Sequence, residues 1–82
     1  MSDVAMVRFF AQAREAAGTG SAAVHGATVD EVLRNAIETY GPSLRDVISM
    51  SKVWLNGEEV PHSHAVTDKD EVAVLPPVSG GI

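Results

Sequence analysis

The residues with the clearest chemical potential stand together at the end of the chain, Pro76-Pro77-Val78-Ser79-Gly80-Gly81-Ile82. Pro76 and Pro77 fix φ and favour an extended, polyproline-like path. Gly80 and Gly81 have no Cβ, so the backbone there is thin and reaches conformations closed to other residues. Fully extended, residues 78–82 span roughly 15 Å. That shape suits a tail that threads into a narrow active site on another protein. The plain alternative is a frayed terminus, common in any domain. A Pro-Pro step and a Gly-Gly pair placed directly after a strand-like segment favour the functional tail.

Other candidate groups are poorer. His62-Ser63-His64 puts two imidazoles on one side of an extended segment, but no third metal ligand is obvious. His25 reads as a surface or strand-edge residue rather than a general base. Glu58-Glu59 and the Asp68/Asp70 pair lie in turns, where solvated carboxylates are ordinary. Trp54, the only tryptophan, reads as a packing residue, and Met6 and Met50 as core or sheet surface. No P-loop or dinucleotide fingerprint is present. The chain has no cysteine, which excludes disulfides, a thiolate nucleophile and cysteine-based zinc sites. Any sulfur handled by this protein therefore cannot ride on a cysteine side chain.

The 82 residues fit one domain, and folding at this size buries only about 60 % of the unfolded surface. An apolar fraction of 45 % suits a globular core. Eleven acids against six scattered bases give a net charge of −5, which argues against a nucleic-acid partner, since phosphate binding needs a clustered basic face. No apolar run approaches the ~18 residues of a membrane span, and the opening residues lack a basic-then-apolar signal. A cytoplasmic location without membrane partners is the expectation.

The elements that must position the tail alternate between strand and helix. Residues 4–10 have strand character, with Ala5, Val7 and Phe9 on one face and Arg8 on the other. Residues 12–17 favour a short helix that stops at Gly18. Residues 21–25 form a short candidate strand, broken at Gly26. Thr28 and Glu31 make a capping box, with Asp30 adding charge to the first turn. Val29, Val32, Leu33, Ala36, Ile37 and Tyr40 then recur as one helical stripe, ended by Gly41-Pro42. Residues 44–48 read as a single turn of α- or 3₁₀-helix. Residues 52–55 form a strand, Asn56-Gly57 a tight hairpin turn, and residues 58–60 the start of the return strand. Asp68-Lys69-Asp70 reads as a turn. Residues 71–75 form the last strand, whose nearly unbroken apolar run predicts a central position covered on both faces.

This order predicts an α+β fold, a β-grasp roll with a mixed sheet of four or five strands and one main helix packed on one face. The first and last strands then pair side by side. Residues 1–75 form the domain and residues 76–82 the extended tail.

The same residues resemble a known family. Phe10-Ala11-x-x-Arg14-Glu15-x-x-Gly18 after the first strand is similar to the entry motif of molybdopterin synthase small subunits. So are Thr28-Val29-x-Glu31-Val32-Leu33, Leu55-Asn56-Gly57-Glu58 and, most specifically, Asp68-x-Asp70-Glu71-Val72-Ala73-Val74-Leu75-Pro76-Pro77-Val78-Ser79-Gly80-Gly81. The resemblance spans essentially the whole chain and extends to the wider group of ubiquitin-like sulfur carriers, including the thiamine sulfur carrier.

The resemblance implies that the carboxylate of Gly81 is adenylated by ATP on a ubiquitin-activating-like enzyme and converted to a thiocarboxylate. Gly80 would let the tail pass. The carrier would then insert its tail into a large catalytic subunit and give sulfur to a pterin precursor, being neither catalytic alone nor a holder of a cofactor. A free terminal carboxylate is ionised at neutral pH and is a weak electrophile; adenylation supplies the leaving group, and sulfur rides on the main chain.

Ile82 departs from the pattern, because it locks Gly81 in an amide. Three explanations are open: a C-terminal-processing protease removes Ile82, the carrier is inactive, or the isoleucine is foreign to the natural chain. Removal is the reading adopted. Function is likewise open between a sulfur carrier for molybdenum cofactor synthesis, one for cysteine or thiamine synthesis, and a protein modifier joined through Gly81 or a pure interaction subunit. The first is favoured.

Overall fold

The computed structural model describes residues 4–77. Its elements are β1 (Val4–Phe9), α1 (Gln12–Ala17), β2 (Ser21–His25), α2 (Val29–Tyr40), α3 (Pro42–Ser49), β3 (Lys52–Leu55), β4 (Glu58–Glu59) and β5 (Glu71–Leu75).

Helix α2 starts where its capping box dictates. The Thr28 hydroxyl accepts from the Glu31 N–H at 3.2 Å, while the Glu31 carboxylate accepts from the Ala27 N–H at 2.9 Å, one residue before the usual recipient. Val29, Val32, Leu33 and Ala36 are buried; Ile37 and Tyr40 border them. Close packing of β2 onto this helix depends on Gly26. A Cβ there would stand 2.6 Å from both the Val32 nitrogen and its Cγ2, inside any allowed contact. The Asn35 side chain ties the two elements by donating to the His25 carbonyl at 2.8 Å.

Gly41-Pro42 ends α2 as expected, but it also opens α3, with Pro42 in the first turn. The single turn expected at residues 44–48 is an eight-residue α-helix, Pro42–Ser49. Proline at the first helical position costs no hydrogen bond and presets φ. Leu44 and Ile48, four residues apart, bury this helix against the core.

The strands form a five-stranded mixed sheet in the order β2-β1-β5-β3-β4. β1 and β5 are parallel, with Val7 opposite Val72 and Phe9 opposite Val74. All other pairings are antiparallel. The first and last strands therefore lie side by side, and the fold is the ubiquitin-like β-grasp. The core lies between the helices and one sheet face, where Ala5, Val7, Phe9, Val53, Leu55, Val72 and Val74 are buried. Phe9 meets Tyr40 edge-to-face at 5.7 Å.

One expectation is corrected. β5 is central, but it is not covered on both faces. Val72 and Val74 are buried, whereas Glu71, Ala73 and Leu75 are only half-buried on the opposite face. The three helices all precede β3 in sequence, and α2 and α3 pack together. No described element covers the other side of the sheet.

Candidate functional site

The site is organised around the carboxyl end of β5, where the chain leaves the domain. Leu75 is half-buried, Pro76 is buried and Pro77 is exposed. The tail residues Val78, Ser79, Gly80, Gly81 and Ile82 lie outside the described residues, so Gly80 and Gly81 are placed here only by the point from which the tail departs. Because β1 and β5 are parallel, the carboxyl ends of both strands emerge together. The Phe10 N–H donates to the Val74 carbonyl at 3.3 Å, which sets Phe10 beside the exit.

The register builds the uncovered face. Arg8 and Trp54 both stand opposite Ala73, Met6 stands opposite Glu71, and Lys52 stands opposite Leu75. Met6 and Phe10 are each 42 % exposed and Trp54 36 %. Apolar side chains thus continue from the tail exit across the sheet. Single exposed apolar residues are ordinary on any surface, but a grouping on a flat face next to an extended tail is a candidate docking surface. Trp54 belongs to it, which corrects its reading as a packing residue. The signal was present: Val53 and Leu55 are buried, and strand alternation sends the residue between them outward. Arg8 and Glu71 form an ion pair at 2.8 Å on this face, both about half exposed; such a pair contributes little to stability.

The exit strand is held in register by the Asn56-Gly57 turn. Both residues have positive φ, 53° and 86°, as a type I′ hairpin requires. Asn56 is bonded to the start of β5 at several points. Its backbone N–H donates to the Glu71 carbonyl, its side-chain oxygen accepts from the Glu71 N–H, and its side-chain amide donates to Asp70, each at 2.9 Å. The Asp70 carboxylate also accepts from the Thr67 N–H at 2.8 Å. The Asn56 amide, and then the Thr67 N–H, hold the Asp70 carboxyl below its ordinary value.

The remaining candidates are dispersed. The carbonyls of His62 and His64 accept from the backbone N–H groups of Asp30 and Val29, so this loop braces the start of α2. Among the described residues no three His, Asp or Glu side chains gather as a metal site. His25 lies exposed on edge strand β2, and Glu58-Glu59 form the opposite edge strand. No helix among the described residues is long and apolar enough to cross a membrane.

Comparison with known proteins agrees with this architecture. The model of the ThiS family matches residues 7–81. The molybdopterin synthase sulfur carrier subunits of Arabidopsis thaliana and Chlamydomonas reinhardtii are each 36 % identical, over 78 and 80 residues. Each match covers 92 % of this chain, and 80 % and 95 % of the respective relatives. The solution structure of small archaeal modifier protein 1 from Methanosarcina acetivorans gives a TM-score of 0.87 at 30 % identity, covering 99 % of both chains. A chain in the complex of subunits 1 and 2 of the molybdopterin-converting factor from Helicobacter pylori gives a TM-score of 0.69 at 25 % identity, covering 95 % of this chain and 99 % of that one. On its sequence and its β-grasp topology alike, the chain belongs to the ThiS family.

Proposed function

We propose that this protein is the sulfur carrier of a molybdopterin synthase, with Gly81 as the working terminus once Ile82 has been removed. The observation that carries the reading is the 36 % identity to two molybdopterin synthase sulfur carrier subunits over 92 % of the chain; the family match runs through Gly81 and leaves Ile82 outside. Hydrolysis of the Gly81–Ile82 peptide bond by a processing protease would expose the glycine carboxylate. One oxygen of that carboxylate attacks ATP on an adenylating partner, pyrophosphate leaves, and a glycyl adenylate forms. Hydrosulfide from a sulfur source then attacks the carbonyl carbon and AMP departs, so a C–S bond replaces the C–O bond to phosphate and a thiocarboxylate is left. Gly80 keeps the tail narrow enough to enter the active sites of both the adenylating enzyme and the large synthase subunit. ATP is the partner's cosubstrate, and this chain holds no cofactor in the scheme.

The uncovered sheet face supplies the docking. An extended tail pays its own ordering entropy on binding and contributes limited affinity alone. Met6, Phe10, Trp54 and Leu75 give an apolar surface continuous with the exit, and the Helicobacter pylori relative forms a complex with its second subunit. Deleting residues 79–82 is expected to abolish sulfur transfer and leave much of the binding to a purified large subunit. Complete loss of binding after that deletion places the affinity in the tail and contradicts this division of labour.

One observation favours a second reading. The small archaeal modifier protein 1 matches over nearly its full length. In that reading the same activated Gly81 is attacked by a lysine amine of a target, giving an isopeptide bond instead of a thiocarboxylate. Intact-mass analysis of protein from its own host separates the readings, as oxygen-to-sulfur exchange or as target adducts.

A further inference from the structure

The two edges of the sheet differ. β4 consists of Glu58 and Glu59 with Pro61 just beyond, and charge and proline guard an edge against a further strand. β2, at the other edge, carries neither. The Phe9 N–H donates to the Gly20 carbonyl at 2.9 Å. By the alternation of an antiparallel pair, Gly20, Ala22 and Val24 turn their backbone groups to β1, and Ser21, Ala23 and His25 turn theirs outward. Side chains already engage the carbonyls at both ends: Thr19 Oγ1 donates to Ser21 at 3.0 Å and Asn35 Nδ2 to His25 at 2.8 Å. Between them the Ala23 N–H and carbonyl and the His25 N–H have no partner among the described residues. They border a groove against the second half of α2, lined among others by Ala23, His25, Asn35, Glu38 and Tyr40. The Glu38 carboxylate is exposed and makes no ion pair among the described residues.

Unpaired N–H and C=O groups on a strand edge are matched by another extended backbone, whose alternate side chains then face the helix. We infer that this groove takes an extended peptide segment of a partner protein, added to β2 as a further strand, with a lysine or arginine set against Glu38. Charge selects the occupant: a cation complements an unpaired carboxylate in a protein of net charge −5. A second copy of this chain fits poorly, because two-fold pairing through β2 brings two Glu38 carboxylates into one groove. The inference does not depend on the sulfur chemistry. β1 separates β2 from β5, and the groove shares no lining residue with the surface of Met6, Phe10, Trp54 and Leu75, so the site is distinct from the docking face.

The probe is a short peptide of alternating threonine and valine with a central lysine on the valine face; its control carries glutamate in place of the lysine. Backbone amide resonances of the full chain are followed by NMR as peptide is added. The lysine peptide is expected to bind saturably, to shift the Ala23 and His25 amides most and to slow their exchange with solvent. The glutamate peptide should bind roughly tenfold more weakly, and Glu38→Lys should reverse that preference. Ala23→Pro deletes the outward N–H at a position where an edge strand accepts proline, and should weaken the lysine peptide roughly tenfold. Melting temperatures check that both variants fold; if Ala23→Pro does not, Glu38→Lys at an exposed helix position carries the test alone. No saturable shift at millimolar peptide, shifts centred on the open sheet face, or equal binding of the two peptides by the parent overturns the inference. Self-association of the chain that protects the Ala23 and His25 amides assigns the edge to a second copy and also overturns it.

Discussion

Replacing Asn56 tests how the domain aims its tail, because this residue joins the hairpin to the first residue of the exit strand. Asn56→Ala removes the side-chain bonds to Asp70 and to the Glu71 N–H, each 2.9 Å long. Both are exposed to water, so each contributes near the low end of the usual range, about 0.5 kcal/mol. Alanine must also hold φ near 53°, a left-handed conformation that costs a non-glycine residue about 1 kcal/mol. The sum is about 2 kcal/mol, or a melting temperature lower by roughly 8–16 °C in a domain of this size. Asn56→Gly loses the same bonds without the strain and should recover part of that difference. The pH dependence follows from the Asp70 carboxyl, whose pKa is lowered in the folded state first by Asn56. A lowered carboxyl pKa stabilises the fold above the unfolded value and loses that contribution as pH falls through the folded one. The gap between parent and Asn56→Ala should therefore narrow as pH drops below the ordinary value of 3.8. Thermal melts of the three proteins between neutral and acidic pH measure this. An Asn56→Ala variant that melts with the parent, or a gap that widens in acid, would refute the reasoning.

Leu33 is 3 % exposed, so Leu33→Ala should cost roughly 2–4 kcal/mol and Thr28→Ala, which removes the α2 cap, about 1 kcal/mol, both read from urea melts. Ala11 has φ 51° and ψ −122°, a conformation glycine adopts freely; Ala11→Gly should stabilise by about 1 kcal/mol despite the usual cost of glycine. Trp54→Asp should leave folding intact but weaken binding to a purified large subunit by tenfold or more, since a buried aromatic anchor typically carries at least 2 kcal/mol of an interface; unchanged binding would remove the open face from the docking surface.

Much of the fold was legible because local signals agreed with one another. The capping box, the apolar stripe of α2, the Asn56-Gly57 turn and the alternation Ala5, Val7, Phe9 all stand in the structure where the sequence placed them. Besides Trp54, two readings failed for physical reasons. Gly41-Pro42 was legible as a stop, but the proline that ends one helix also suits the first turn of the next, and α3 was underestimated. The run Val72-Ala73-Val74-Leu75 looked covered on both faces because each residue is apolar, yet only alternate members meet the core. The docking face was hidden by the same ambiguity: an apolar residue on a sheet declares its face only through its neighbours.

The central claim is that sulfur is carried on the main-chain carbonyl of Gly81. Its most direct test is intact-mass spectrometry of two chains, one ending at Gly81 and one retaining Ile82, after incubation with the cognate adenylating enzyme, ATP and a sulfur source. The chain ending at Gly81 should gain the mass of one oxygen-to-sulfur exchange, and substituting Gly81 by alanine in it should slow the gain sharply. The chain retaining Ile82 should remain unchanged. Equal exchange on the uncut chain would contradict the account and make Ile82 the sulfur-bearing residue.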